Sequence, residues 1–184
     1  MKCPLILLDS GHGGKDPGAI AGGVREKDLN LSFVFLIAGH LQYFFRELQL
    51  SILFTRTRDV YMPASARVKF EHNSRPDLFV SIHCNSAEVT SARGSEILFY
   101  SSLGGRIAQR VLEDIRADGF PIHGDGIVRR PNLTVLAKTH APAILVETLF
   151  LSNSEDRKML TDNTSQDELA KSIAEGIYNS RGFL

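Results

Sequence analysis

The sequence predicts a single α/β domain over residues 1–184, a twisted, mostly parallel sheet of about six strands with helices on both faces. Two observations carry this. Short runs rich in branched aliphatic residues are bounded by turn residues, as buried strands are. Between them lie segments whose apolar residues recur every three or four positions, the spacing of core-facing helices. Strands alternating with helices favour a parallel sheet, because each parallel connection needs a crossover and a helix usually supplies it.

In chain order, LILLD (Leu5–Asp9) is the first expected strand. Leu29–Leu48 follows as a helix, with apolar residues at 34, 37, 41, 44/45 and 48. SILFTR (Ser51–Arg56) is the next strand, and Pro63–Asn73 a helix opened by proline, whose missing N–H is unneeded at a helix start. LFVSIH (Leu78–His83) and SEILFY (Ser95–Tyr100) read as strands, Arg106–Asp118 as an amphipathic helix, and LTVLA (Leu133–Ala137) and AILVET (Ala143–Thr148) as the last two strands. Gln166–Asn179 reads as a closing helix capped by Ser165. No internal repeat, low-complexity linker or composition break divides the chain.

Composition narrows the function classes. The 21 Lys and Arg residues balance 21 Asp and Glu, so no bulk positive field points to nucleic acid or an anionic membrane. The two cysteines, Cys3 and Cys84, form neither a disulfide framework nor a CxxC knuckle. The longest apolar run, near Phe33–Ala38, is far too short to span a bilayer, so no membrane insertion is expected. The first residues run straight into the expected strand with no secretion-signal pattern. The expectation is therefore synthesis in the cytoplasm, with any work at a cell wall following release or export, unless the chain is an excised domain of a secreted enzyme.

The most unusual stretch is LLDSGHGGKDPGAI (Leu7–Ile20). It is not a phosphate cradle. A P-loop requires glycine five positions before Gly14, and Asp9 stands there; a dinucleotide fingerprint requires glycine at position 16, and Asp16 stands there. A histidine at the end of a buried strand, held by glycines, suits a metal ligand or a hydrogen-bonded turn residue. Three further residues favour the metal. His83 closes LFVSIH and Glu147 closes AILVE, so both lie at strand ends that converge on one edge of an open parallel sheet. Glu26 precedes the long helix, within reach of that edge, although an acid there also suits the helix N-terminus. Two histidines and two glutamates match a catalytic zinc site, with three protein ligands and an open position.

Five ordered blocks, LDSGHGGKDPGA, EKDLNL, RPDLFVSIHCNS, RGSEILFY and APAILVETLFLSNSED, resemble those of the zinc-dependent N-acetylmuramoyl-L-alanine amidases of the Amidase_3 type, over about Leu5 to Ile177. The resemblance implies one zinc ion held by His12, Glu26 and His83, with Glu147 as the catalytic carboxylate. It implies hydrolysis of the amide between the lactyl group of N-acetylmuramic acid and the L-alanine of the stem peptide in peptidoglycan. Asn85, two residues beyond His83, and Arg130 and Asn132 (with Arg129) in GIVRRPNLTVL, are the expected substrate contacts. Asp9 is an expected partner for a ligand imidazole or a cap of its turn.

Cys84 and Cys3 are read as packing residues, and His40, His72, His123 and His140 as structural, a place at the border of the groove being the functional alternative for His140. Thr148 stands where the family often has a small residue, and is expected to bear on the groove rather than the metal. Tyr100 passes through SSLGG directly into a helix, leaving no room for the regulatory insert that the family's cell-division members carry after the fourth strand. The expectation is a monomer active without an activator protein, as in an endolysin or autolysin. A non-catalytic peptidoglycan-binding relative would have lost one of the four site residues, and all four are present. A zinc amidohydrolase of another substrate is the remaining alternative.

Overall fold

The computed structural model describes residues 3–184. Six strands form one sheet in the order β4-β1-β5-β8-β6-β7. They are β1 (Leu5–Ser10), β4 (Ser51–Phe54), β5 (Leu78–Asn85), β6 (Ser95–Phe99), β7 (Ile122–Arg129) and β8 (Ala143–Phe150). A two-residue pair, β2 (Ile20–Ala21) and β3 (Val24–Arg25), makes a separate small hairpin. The helices are α1 (Glu26–Phe44), α2 (Ala64–Ser74), α3 (Ser102–Ala117), α4 (Thr134–Ala137), α5 (Ser154–Thr161) and α6 (Asn163–Asn179). Among the described residues, no helix is long and apolar enough to cross a membrane.

All neighbouring strands pair in parallel except β6 and β8. The connection from β5 to β6 contains no helix, so β6 starts at the edge where β5 ends and must run the other way. Strands β1, β5 and β8 read as near-continuous apolar runs because helices cover both of their faces. On one face, Ile6, Leu8, Val80, Ile82, Ile144 and Val146 pack with α1, α3 and α6. On the other, Leu7, Phe79, Leu98 and Leu145 pack with Val135 and Leu136 of α4, with Phe70 of α2 at the margin.

Two assignments made from sequence are corrected. Leu133–Ala137 is not a strand: Leu136 and Ala137 donate backbone hydrogen bonds to Leu133, closing a single helical turn. Five residues are too few to reveal a period, and here burial of Val135 and Leu136 overrides strand propensity. The sixth strand is instead Ile122–Arg129, hidden in the sequence by Gly124 and Gly126, which take positive φ at a register irregularity against β6. The last helix begins at Asn163, and its cap is Asp162, which accepts from the N–H of Ser165. The helix α5, opened by Asn153, was not foreseen.

The topology opens a crevice at the β1 terminus. From β1 the chain crosses by α1 to β4 on one side; from β4 it returns by α2, over the opposite face, to β5 on the other. From β5 the chain leaves the other way, toward β6, so the connections of the adjacent strands β1 and β5 part between their carboxyl ends, where ligand sites of open α/β sheets form.

Candidate metal centre and cleft

The segment after β1 is built to present one imidazole. His12 takes φ 58°, a left-handed conformation rarely adopted by a residue with a side chain. Gly13 and Asp16 exchange backbone hydrogen bonds of 2.9 and 3.1 Å, closing the turn behind it. Two buried arginines take its carbonyls. Arg56 donates to the carbonyls of Ser10 and Gly11, and Arg67 to those of Ser10 and His12. Arg67 also pairs with the buried Asp9, which accepts the hydroxyls of Thr55 and Ser81 at 2.6 Å each. Asp9 therefore holds the floor of the turn and touches neither imidazole; the role of imidazole partner, expected of Asp9, falls instead to Asp16.

Three side chains converge above this floor. The Oε1 atom of Glu26 lies 3.1 Å from Nε2 of His12 and 2.8 Å from Nδ1 of His83. The ligand atoms of the three residues all lie within 4.8 Å of one another. The same oxygen accepts from Asn30 and from the N–H of Cys84, at 3.2 Å each, while Oε2 accepts the N–H of Ala19 at 2.9 Å. Space here requires glycine: a Cβ on Gly11 would sit 2.3 Å from the His83 ring, and one on Gly18 would sit 2.5 Å from Oε2 of Glu26.

Electrostatics follow from this packing. Burial alone would raise the Glu26 carboxyl pKa, but hydrogen bonds and charge from His12 and His83 outweigh it and hold the group well below the usual carboxylate range. Burial would lower the His12 pKa; the hydrogen bond and charge of Glu26, then those of Asp16, instead raise it to about 9. Asp16 sits 2.9 Å from Nδ1 of His12, so Nε2 is the nitrogen turned toward Glu26.

Glu147 lies directly opposite His83 in the β5–β8 register. Its Oε2 is buried without a hydrogen-bond partner, and burial pushes its carboxyl up to about 7. His12, His83 and Glu147 line one cleft of ≈ 310 Å³ together with Asp16, Tyr61, Arg67, Leu98, Leu133 and Leu145. Arg130 and Asn132 line a neighbouring hollow with Arg129 and Pro131; Leu98 and Leu133 border both spaces. Asn85 is not among the cleft-lining residues; its side-chain oxygen accepts the N–H of Ser86. Thr148 is fully buried and turned from the cleft, where it donates to the carbonyl of His83 beside Cys84. Cys84 is buried as expected. His140 does not border the cleft: its ring stacks on His72 at 3.9 Å, and its N–H donates to Glu71.

The residues that sequence reasoning missed are those that support the turn. Arg56, Arg67 and Asp16 are described above; Lys27 joins them, reaching the Gly14 carbonyl at 2.9 Å and Asp59 at 2.7 Å. Two arginines and a lysine in a balanced chain carry no local pattern. Only Arg56 follows closely on a strand of the main sheet; Arg67 lies within α2 and Lys27 at the start of α1.

Residues 6–179 match the family model described as N-acetylmuramoyl-L-alanine amidase. The chain belongs to this family. It is 32% identical over 219 residues to the N-acetylmuramoyl-L-alanine amidase AmiC of Neisseria meningitidis serogroup B, covering 95% of this chain and 52% of the relative. It is 33% identical to the endolysin of Bacillus phage SPP1, covering 94% of this chain and 64% of that protein. The amidase-family chain thus spans between half and two-thirds of these relatives. Among solved structures, it is similar to an N-acetylmuramoyl-L-alanine amidase from Clostridium difficile 630 (TM-score 0.89, 27% identity, 98% and 97% of the two chains covered). It is also similar to the catalytic domain of the amidase CwlV from Bacillus (Paenibacillus) polymyxa (TM-score 0.85, 30% identity, 98% and 99% covered).

Proposed function

We propose that this chain is a zinc-dependent peptidoglycan amidase, the whole chain serving as one catalytic domain. Its reaction is hydrolysis of the bond between the lactyl carbonyl of N-acetylmuramic acid and the nitrogen of L-alanine. The observation that carries this reading is the orphaned, buried carboxylate oxygen of Glu147 in the same cleft as the His12–Glu26–His83 group.

The donor set fits zinc. Two imidazole nitrogens and one carboxylate oxygen are ligand types that zinc takes in hydrolases, leaving an open position. The Asp16 contact fixes the nitrogen His12 offers. A zinc ion bound there would supply Lewis acidity toward the amide carbonyl and toward water. The remaining chemistry belongs to the chain. Glu147 takes a proton from the attacking water and returns it to the departing alanine nitrogen. A carboxyl whose pKa burial has raised toward neutrality can do both within one cycle. Leu98, Leu133 and Leu145 keep the cleft apolar around it. Arg130 and Asn132, in the hollow beside the cleft, meet the stem peptide in this reading, the arginine as partner for a carboxylate; Asn85, from outside the cleft, has no such support. It acts without an activator, a reading supported by the direct passage from Tyr100 into α3.

The test uses purified peptidoglycan. Release of amino groups should be abolished by a chelator and restored by zinc, and mass spectrometry should find intact stem peptides with free L-alanine amino termini. Fragments in which the stem remains joined to muramic acid would sink the assignment.

A further inference from the structure

Register places one more carboxylate in the reactive row. β6 runs antiparallel to β8, and Glu96 lies directly opposite Glu147, as Leu98 lies opposite Leu145. His83 lies opposite Glu147 on its other side. His83, Glu147 and Glu96 therefore form one row across three strands. They share a face with Leu98 and Leu145, which line the cleft. Side chains directly opposed in an antiparallel pair have Cβ atoms about 4.5–5.5 Å apart. Glu96 is half-buried, its charge acts on Glu147 and, among the described residues, no hydrogen bond or ion pair holds it.

Two acids opposed across a sheet are destabilising, so the fold alone gives no reason for the pairing. Order along the row gives one. The metal group lies on the β5 side of Glu147 and Glu96 lies on the β6 side. If the scissile carbonyl faces the metal group, its nitrogen points past Glu147 toward Glu96. We propose that Glu96 is the group that receives the nitrogen side of the scissile bond, accepting a hydrogen bond from the amide N–H and then from the released amino group. This rests on the amidase reading above.

The balance of the step is simple. The water oxygen joins the carbonyl carbon, the C–N bond breaks with its electron pair left on nitrogen, and Glu147 delivers a proton to that pair. Glu96 transfers no proton. Its hydrogen bond strengthens as the nitrogen gains positive character, so it favours the transition state over the bound substrate.

The test compares two substrates that differ in one atom. One is a muramyl peptide with the natural lactyl–alanine amide; the other carries an ester oxygen in place of that nitrogen and so has no N–H to offer. Glu96→Gln should lower kcat/KM on the amide about tenfold or more, as loss of a charge-assisted hydrogen bond does. On the ester it should stay within about twofold of the parent. Zinc content should be unchanged. Glu96→Asp, which keeps the carboxylate, should recover part of the amide rate. Equal losses on both substrates, an unchanged amide rate, or loss of zinc would each overturn the proposal. If the parent protein cleaved no amide, the amidase reading itself would fall, and this inference with it.

Discussion

Oδ2 of Asp16 accepts a hydrogen bond from Nδ1 of His12 at 2.9 Å, four residues along the same turn. The contact fixes the tautomer that leaves Nε2 free for a cation, and it restrains the ring. Asp16→Asn keeps the shape but weakens the acceptor. Outer partners of this kind contribute roughly 10–100-fold to metal affinity. Competition with a chromophoric chelator should show zinc affinity reduced by that range, with little change in thermal stability of the metal-free protein.

Metal uptake should release a proton. Without metal, the His12 pKa is held at about 9, mainly by Glu26, so the ring is charged at neutral pH. A ligand imidazole must be neutral. Zinc titrations at pH 7 in buffers of different ionisation enthalpy should report about one proton released by His12. That release should fade above pH 9. A proton count independent of pH across this range would contradict the charge state.

The same pair sets the stability profile of the metal-free protein. The His12 pKa is raised, so its contribution is complete below its ordinary value of 6.5 and is lost as pH rises through about 9. Glu26 is depressed, so its contribution is complete above 4.5 and is lost at more acid pH. In the Glu147→Gln variant, which removes the carboxyl that burial raises to about 7, melting temperature should therefore be flat between these limits and decline on both sides. In the parent, Glu147 adds a loss of stability as pH rises from 4.5 to about 7. Zinc-loaded protein should lack the alkaline decline, because the metal replaces the proton.

Glu147→Gln tests the division of labour. Glutamine keeps the volume of the buried side chain and removes its titration. Zinc content should match the parent, while turnover should fall by about 10²–10⁴-fold, the usual contribution of a positioned acid–base group. Loss of zinc in this variant would make Glu147 a ligand instead.

Five of the six strands could be read from the sequence because β1, β5 and β8 are continuous aliphatic runs and β4 and β6 end at turn residues. Strand β7 could not, since three of the eight residues of IHGDGIVR, Gly124, Asp125 and Gly126, normally break strands. Pairing with β6 and burial of Gly126 against Leu112 and Ile122 hold it in place. Glu26 was marked only by its place at the start of α1, whereas His12, His83 and Glu147 stood out because they are polar groups at the ends of apolar runs. Asp9 stood out for the same reason and has another role. Both ends look alike in one dimension, and only the positions of Arg67, Thr55 and Ser81 separate them.

Two glycine substitutions separate folding from site geometry. Gly39 lies in the interior of α1 on an exposed position, and a Cβ there would meet nothing within 4 Å. Gly39→Ala should stabilise the protein by about 0.5–1 kcal/mol by reducing the freedom of the unfolded chain. For a domain of this size that is a rise of roughly 2–4 °C in Tm per kcal/mol. Gly11 has no left-handed φ, so alanine costs little in backbone strain. Its Cβ would instead lie 2.3–2.7 Å from three atoms of the His83 ring. The ring must rotate away from Glu26 to make room. Gly11→Ala should therefore remain folded in circular dichroism yet bind zinc weakly and turn over slowly, and a Gly11→Ala protein with full zinc affinity would show that His83 is not held where its contact with Glu26 places it.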